Sequence, residues 1–448
     1  MPSLKPSQLP AIERLATRKS TILVAPTGAG KTVICLSAIK RVIDAGKVNR
    51  VIVAAPAKVV ENEVWTKEVV KWEQTAGLSV HTIAGTVPKR LEQLSQALDL
   101  KHEYRRATPA RFGADVIVIS LSNLDWLLNQ DHGCDGIIID ELSKAAGKQT
   151  KALNTKSKGG CFIWRIGMTA TPVSQDYQKL FTMAKRIDGG KALGTAKHNF
   201  LNHYFYSDYM GYNWTLKDGA DKQIMAKLKK LVHIIDDDKA ETLPAVHEHV
   251  IRFDMPAETR GVYNTMKKHM VTENREAANA AVQSGVLRQI GSGFTYRQDS
   301  EVVDVYDTRR SSEAYTWVKN HPKGTRLIIF YEYKEQGRAL EGLFQGRATG
   351  TISCFMSPGA DILLAQINSL SHGVDGLQRV CSDILFYHPM WSRDAHEQAI
   401  GRVWRTGQTE EVNVTTLVCN DTLDELVMSR VEDRGEWMKL FKQHLGAK

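Results

Sequence analysis

One loop limits the folds open to this chain: Ala25-Pro26-Thr27-Gly28-Ala29-Gly30-Lys31-Thr32. A short apolar run, residues 21–24, leads into it, and an amphipathic run, residues 33–45, follows it. A buried strand, a tight glycine-bearing turn and a helix N-terminus together make a phosphate cradle. Loop N–H groups and the positive end of the helix dipole attract the phosphates. Lys31 adds a point charge at the β- and γ-phosphates, and Thr32 presents a hydroxyl to Mg²⁺. The commonest form of this pattern begins with Gly, whereas here the first position is Ala25. A chance Gly-Lys-Thr turn would need neither the strand before it nor the helix after it. The loop predicts binding of a nucleoside triphosphate.

A chain of 448 residues exceeds what one hydrophobic core comfortably serves, so two large domains are expected. No apolar run reaches membrane-spanning length, and residues 1–20 alternate charged with apolar positions instead of forming a secretory core. The six cysteines, Cys35, Cys134, Cys161, Cys354, Cys381 and Cys419, include no C-x-x-C pair. That spacing argues against a zinc ribbon and a disulfide framework, and predicts a cytoplasmic protein with no membrane partner.

Net charge is +9, and its distribution is uneven. Residues 1–240 hold 35 Lys and Arg against 23 Asp and Glu, while residues 241–448 hold 24 against 27. Basic clusters lie at residues 144–158, including Lys144 and Lys148, and at 222–230. Each cluster alone reads equally well as solvated surface. The asymmetry as a whole points to a polyanionic partner.

Short apolar strands alternate with amphipathic helices through most of the chain. Strands are predicted at residues 21–25, 51–55, 79–83, 115–120, 136–140 and 162–167, with a helix over 60–72. Ser122 is expected to cap the helix that carries Leu124, Leu127 and Leu128. The rhythm lapses over residues 189–250, and Thr242-Leu243-Pro244 reads as the start of a linker. It resumes with strands at 326–330, 351–355, 383–387 and 412–418, and helices at 335–343, 394–403 and 422–431. This order predicts parallel sheets covered by helices on both sides, the second without a phosphate loop of its own.

Two further segments carry chemistry. Ile137-Ile138-Ile139-Asp140-Glu141-Leu142-Ser143 is an apolar strand ending in two carboxylates. At the C-terminal edge of a parallel sheet, Asp140 is placed to hold Mg²⁺ and Glu141 to orient or deprotonate the attacking water. Gly167-Met168-Thr169-Ala170-Thr171-Pro172 then sets two hydroxyls behind the pair. In Gln398-Ala399-Ile400-Gly401-Arg402-Val403-Trp404-Arg405-Thr406-Gly407-Gln408, a helix is expected to place Arg402 and Arg405 on one face. Two fixed guanidinium groups can meet a triphosphate presented by another domain.

With these residues in view, nearly the whole chain resembles superfamily 2 helicases, and within them the Swi/Snf helicase-like family in its compact bacteriophage form. Gln8, in Lys5-Pro6-Ser7-Gln8, matches the upstream Gln that reads adenine. Ala54-Ala55-Pro56, then Val64-Trp65, Glu68 and Lys71-Trp72, is similar to motif Ia and the Trp/Glu/Trp signature after it. Val118-Ile119-Ser120 falls at motif Ib, Leu287-Arg288-Gln289-Ile290 at the second lobe's LRQI segment, and Ile328-Ile329-Phe330 at motif IV. His388-Pro389-Met390-Trp391 is similar to the lead-in to motif VI, and Thr422, Asp424 and Glu425 to the family's closing helix. There are departures. Motif II ends in Leu142-Ser143 where the family has Ala-His. Motif V, which spans Ser371 to Gln378, is one residue longer. His233-Ile234 stands where relatives carry an Arg pair.

The resemblance implies an α/β fold of two tandem RecA-like domains, each a mostly parallel sheet covered by helices, with small helical insertions. Residues 1–243 would carry motifs I to III and residues 244–448 motifs IV to VI. ATP would lie between the lobes, with Gln8 on the base and Pro26, Thr27, Gly28, Ala29, Gly30, Lys31, Thr32, Gly373 and Asp375 about the nucleotide. Thr32 and Asp140 would hold Mg²⁺, largely through water. Glu141, Asp140, Arg402, Arg405 and Gln398 would complete catalysis. Pro56, Ser120, Thr169 and Thr171, with Lys144 and Lys148, would face nucleic acid, and residues 189–230 and 255–293 match the duplex-gripping protrusions. The implied activity is that of a monomeric ATP-dependent translocase or helicase on duplex or branched DNA, in recombination or repair, in a bacterial host cell. An RNA helicase or a strand-separating DNA helicase would share the ATP site. A small-molecule P-loop NTPase would not need residues 398–408, and an inert DNA-binding scaffold would not need the hydrolytic residues.

Overall fold

Continuous apolar runs, rather than alternating ones, form the central strands, because both faces of each sheet are covered. The computed structural model describes residues 3–26, 28–99, 113–146, 153, 161–170, 177–209, 214–235, 243–298, 300–367, 376–405 and 407–429. The chain divides into two units, the first including residues up to Asp238 and the second beginning at Lys239.

In the first unit, β1 (Ser20–Val24), β2 (Val51–Ala55), β3 (Val80–Ile83), β4 (Val116–Ser120), β5 (Gly136–Asp140) and β6 (Trp164–Thr169) join one sheet. A separate hairpin, β7 (Phe205–Ser207) with β8 (Trp214–Leu216), precedes the last strand of the sheet, β9 (Val232–Ile234). The order is β3-β4-β2-β5-β6-β1-β9, and every pair is parallel. Alternate residues divide between two cores: Ile22, Val24, Ile137 and Ile139 on one side, Leu23 and Ile138 on the other. The second side is closed by α1 (Gln8–Thr17), α2 (Lys31–Asp44), α3 (Ala57–Glu61) and α4 (Val64–Val69).

In the second unit, β10 (Val246–Phe253) begins the chain order. Two small hairpins follow, β11 (Val271–Thr272) with β12 (Arg275–Glu276) and β13 (Phe294–Tyr296) with β14 (Val303–Val305). The main sheet is completed by β15 (Leu327–Tyr331), β16 (Ala348–Thr349), β17 (Ile362–Gln366), β18 (Asp383–Phe386) and β19 (Val412–Cys419). Its order is β10-β19-β18-β15-β17-β16, again all parallel. Leu327 and Ile329 enter one core, Ile328 and Phe330 the other. Two parallel α/β sheets in tandem are what the strand and helix rhythm predicts, and they match the RecA-like architecture that the resemblance implies.

Several local expectations are corrected. Residues 351–355, expected as a strand, form the helix Ile352–Met356, and the neighbouring strand is β17. The helix expected over 60–72 is broken at Glu63, whose φ of 52° separates α3 from α4. Ser122 does not cap its helix. Asn123 occupies that position, and the Ser122 hydroxyl pairs with that of Ser120 at 3.0 Å. β10 lies largely inside the stretch where the rhythm lapses, because its exposed residues mask the alternation.

Candidate functional site

All strands of the first sheet point the same way, so their C-terminal ends share one edge, the edge where parallel sheets bind ligands. At it lie Ala25 and Pro26 after β1, Pro56 after β2, Ser120 on β4, Asp140 on β5 and Thr169 on β6. The loop after β1 is pinned by Ala25 N donating to Thr169 O at 3.1 Å and Ala29 N donating to Pro26 O at 3.2 Å. Gly28 lies at φ 88°. Gly30, at φ 79°, caps α2. The backbone angle favours glycine at Gly30, and a Cβ there would push the Gln8 amide out of place. Gln8 is buried; its Oε1 accepts from Lys5 N at 2.8 Å and its Nε2 donates to Ala29 O at 2.9 Å. This amide braces the cradle from α1, a role that sequence reasoning did not assign. Thr27 lies outside the described residues.

Lys31 and Thr32 open α2, both half-buried. Lys31 Nζ donates to the carbonyls of Ala25 at 2.8 Å and Pro26 at 2.9 Å. Burial lowers its pKa, and the charges of Glu141 and Asp140 oppose that shift. Asp140 is the mirror case. Burial, then the Glu141 charge, push its carboxyl up to about 7, against Lys31 and a hydrogen bond from Trp65. The Trp65 indole Nε1 stands 3.4 Å from Asp140 Oδ2, and Trp65 itself is buried in the core under α4. Glu141 is buried and held at φ 58°, a conformation that costs a non-glycine residue about 1–3 kcal/mol. Leu142 N donates to Met168 O at 2.8 Å and Lys144 N to Glu141 O at 2.9 Å, which fix the turn. The Ser143 hydroxyl donates to Glu141 Oε1 at 3.0 Å.

Thr32 and Asp140 offer hard oxygen donors of the kind Mg²⁺ takes alongside phosphate and water. A cation fits here because it would relieve the desolvated, mutually repelling carboxylates that raise the Asp140 pKa. Among the described residues there is no group of three or more His, Cys, Asp or Glu that forms a metal centre by itself.

The nucleic-acid assignments fare unevenly. Pro56 caps α3 and is half-buried, and Lys144 is exposed on the turn after β5. Thr169 is fully buried where β6 runs between β1 and β5, and Ser120 is buried beside Ser122. Both side chains are thus packed into the sheet layer at its C-terminal edge. Thr171 and Lys148 lie outside the described residues.

In the second unit, Gln398 is half-buried on the helix Arg393–Ile400. Arg402 and Arg405 do not share a helical face as expected. The helix closes at Ile400, and both follow in hydrogen-bonded turns, with Arg402 N donating to Ala399 O at 3.1 Å and Arg405 N to Val403 O at 3.2 Å. Burial, then the charge of Arg405, lower the Arg402 pKa to about 10. Trp404 Nε1 donates to Pro244 O at 2.7 Å, and Gln408 Nε2 donates to Cys381 O at 2.9 Å. Gln408 thus has a structural reason to be present. Gly373 and Asp375 lie outside the described residues, while Gln378 is buried and accepts from Gly376 N at 3.0 Å. Arg288, buried, donates to Glu332 Oε2 at 2.8 Å and Pro389 O at 2.9 Å, pairs with His388 and lies 4.8 Å from the Trp391 ring centre. It ties the 287–290 segment to residues 388–391, a link with no signal in the sequence.

Comparison with known proteins places this geometry in context. A family model described as the SNF2-related domain matches residues 11–297. Protein p41 of Acyrthosiphon pisum secondary endosymbiont phage 1 is 25% identical, covering 95% of this chain and 95% of that protein. The DNA repair and recombination protein RAD54-like of Drosophila ananassae is 22% identical over 91% of this chain and 58% of its own length. RAD54 of Saccharomyces cerevisiae is 21% identical over 91% of this chain and 51% of its own. The chain thus spans between half and three-fifths of these two relatives. A solved structure, the Sulfolobus solfataricus SWI2/SNF2 ATPase core in complex with dsDNA, aligns with TM-score 0.44 and 18% identity over 99% of this chain and 94% of that one. No helix among the described residues is long and apolar enough to cross a membrane.

Proposed function

Because the chain belongs to the SNF2-related domain family, with its implied binding and hydrolysis of ATP, we propose that it is a motor that hydrolyses ATP to move along duplex or branched DNA. The observation that carries the hydrolytic part is a lysine seated on its own glycine loop at the same edge of a wholly parallel sheet where β5 delivers Asp140 and Glu141. The Lys31 ammonium leaves the Ala25 and Pro26 carbonyls for the β- and γ-phosphates, and Gln8 holds the loop in shape as it does so. Thr32 and Asp140 would hold Mg²⁺, which would supply neutralising charge at the phosphates. Glu141 orients the attacking water. Arg402 and Arg405 bring positive charge to the transferring phosphoryl group, with Gln398 beside them. DNA as the track is supported by the excess positive charge of residues 1–240 and by relatives whose names place them in DNA repair and recombination.

ATPase rate measured with no nucleic acid, single-stranded DNA, duplex DNA, forked DNA and RNA tests this reading. Duplex or forked DNA is expected to stimulate turnover most. Stimulation by RNA above DNA would favour the RNA helicase alternative, and a rate indifferent to all five would favour a small-molecule NTPase.

A further inference from the structure

Each of the two paired carboxylates is held by a different side chain outside the phosphate loop. Trp65 reaches Asp140 from α4, across 75 positions of sequence, with its indole N–H at 3.4 Å. Ser143 reaches Glu141 from two residues downstream, at 3.0 Å. The two donors do not overlap: the indole addresses Asp140 Oδ2, the hydroxyl Glu141 Oε1. Adjacent carboxylates repel, and burial sharpens the repulsion, so without fixed partners they would compete for the same cation.

The backbone makes the same division. Asp140 ends a strand whose neighbours β2 and β6 hold it, whereas Glu141 turns into left-handed geometry and leaves the sheet direction. A carboxylate at such a turn has no sheet register to aim it. The hydroxyl two residues on supplies the missing constraint, at a position where the resembled family carries an imidazole instead. Trp65 is buried among apolar neighbours, so its ring has a packing role, but its N–H is the one polar group it contributes.

We propose that Trp65 and Ser143 are positioning residues that assign the carboxylates to separate tasks, Trp65 fixing Asp140 for metal-dependent nucleotide binding and Ser143 fixing Glu141 for turnover. This rests on the hydrolytic reading given above. Partners of this kind around metal ligands and bases alter affinity or rate by tens of fold without touching substrate.

Trp65→Phe keeps the ring and removes only the N–H; Ser143→Ala removes only the hydroxyl, and Ser143→Thr keeps one. Two quantities are read: affinity for a fluorescent ATP analogue with and without Mg²⁺, and kcat against KM for ATP. Trp65→Phe is expected to weaken Mg²⁺-dependent nucleotide binding several-fold and to leave Mg²⁺-free binding unchanged. Ser143→Ala is expected to lower kcat on the order of ten-fold with KM and affinity unchanged, the scale of one lost hydrogen bond to a charged group. Ser143→Thr should recover most of that loss, and Ser143→Ala should add nothing to Glu141→Gln. Equal loss of binding with and without Mg²⁺ in Trp65→Phe would reduce Trp65 to packing. A parent-like kcat in Ser143→Ala beside an inactive Glu141→Gln would overturn the role of Ser143. A parent-like kcat in Glu141→Gln would instead overturn the hydrolytic reading itself.

Discussion

Lys31 Nζ donates to the Ala25 carbonyl at 2.8 Å, so the lysine closes a ring onto the first residue of its own loop. The same ammonium feels both Asp140 and Glu141. It is held as a point charge between backbone dipoles and two acids, ready to exchange carbonyl oxygens for phosphate oxygens. Lys31→Ala should therefore lose most of its triphosphate affinity. Glu141→Gln retains the shape of the site and the donors of the loop, so ATP should still bind while turnover collapses. Nucleotide binding and single-turnover hydrolysis, measured side by side, separate the two. Equal loss of binding in both would contradict these roles.

Arg402 and Arg405 lie in turns beyond a helix end, where burial, and then the charge of Arg405, depress Arg402 to about 10. That shift leaves the group charged at neutral pH, so its positive charge persists despite burial. Arg402→Ala and Arg405→Ala should each preserve nucleotide binding by the first unit and slow hydrolysis by about 10²–10⁵, the scale of a lost arginine finger. DNA should no longer stimulate either variant. Wild-type stimulated rates in both would remove them from the hydrolytic machinery and leave them a local structural role.

The chemistry of the first unit was legible because it is local. A phosphate loop needs strand, glycines, lysine and helix within a dozen residues, and the Asp-Glu pair needs only an apolar strand before it. What escaped is either distant in sequence or set by backbone angles. Trp65 meets Asp140 only once α4 has packed against α2 and β3, and Glu141 enters left-handed space with no glycine to announce it. The resemblance marks Gln8 as a base reader, whereas its contacts with Lys5 and Ala29 form only in the folded chain. In the second unit, residues 351–355 carry β-branched and aromatic side chains but lie before the true strand, and tertiary packing overrode their propensity. The helix expected over 394–403 closes at Ile400, where the hydrogen bonds of Arg402 and Val403 tighten to residues three back and Val403 is buried.

Neighbouring acids near the end of the described chain should behave oppositely. Asp424 is buried, and its Oδ2 accepts from Arg310 Nη2 at 2.5 Å and from Cys419 N at 3.1 Å. Arg310 is itself buried and also donates to the carbonyls of Gly291, Tyr387 and Leu417. Removing one partner of such a pair strands the other charge, so Asp424→Ala should cost about 3–5 kcal/mol in stability. Glu425 meets Arg252 at 3.0 Å with both side chains well exposed. Glu425→Ala should cost less than about 1 kcal/mol. Denaturant midpoints of the two variants check the contrast, and comparable losses would show that Arg310 does not depend on its partner.

What the motor does to its track separates the proposed function from its nearest rival. A strand-separating helicase must drive a structural element between paired strands, whereas a duplex translocase grips the backbone and leaves the pairs intact. The clustered lysines of the first half suit the second task, because a lysine meets phosphate as a point charge and reads no base. ATP-driven stepping along intact duplex must push off whatever lies on it. We therefore expect ATP-dependent displacement of a third strand from a triplex carried on blunt duplex DNA, with little unwinding of a long tailed duplex. Branched DNA should still be remodelled, since movement against a junction shifts it without parting each pair in turn. Lys31→Ala and Glu141→Gln must abolish displacement, which excludes passive melting of the triplex. Efficient unwinding of the tailed duplex together with an undisturbed triplex would reverse the assignment in favour of strand separation.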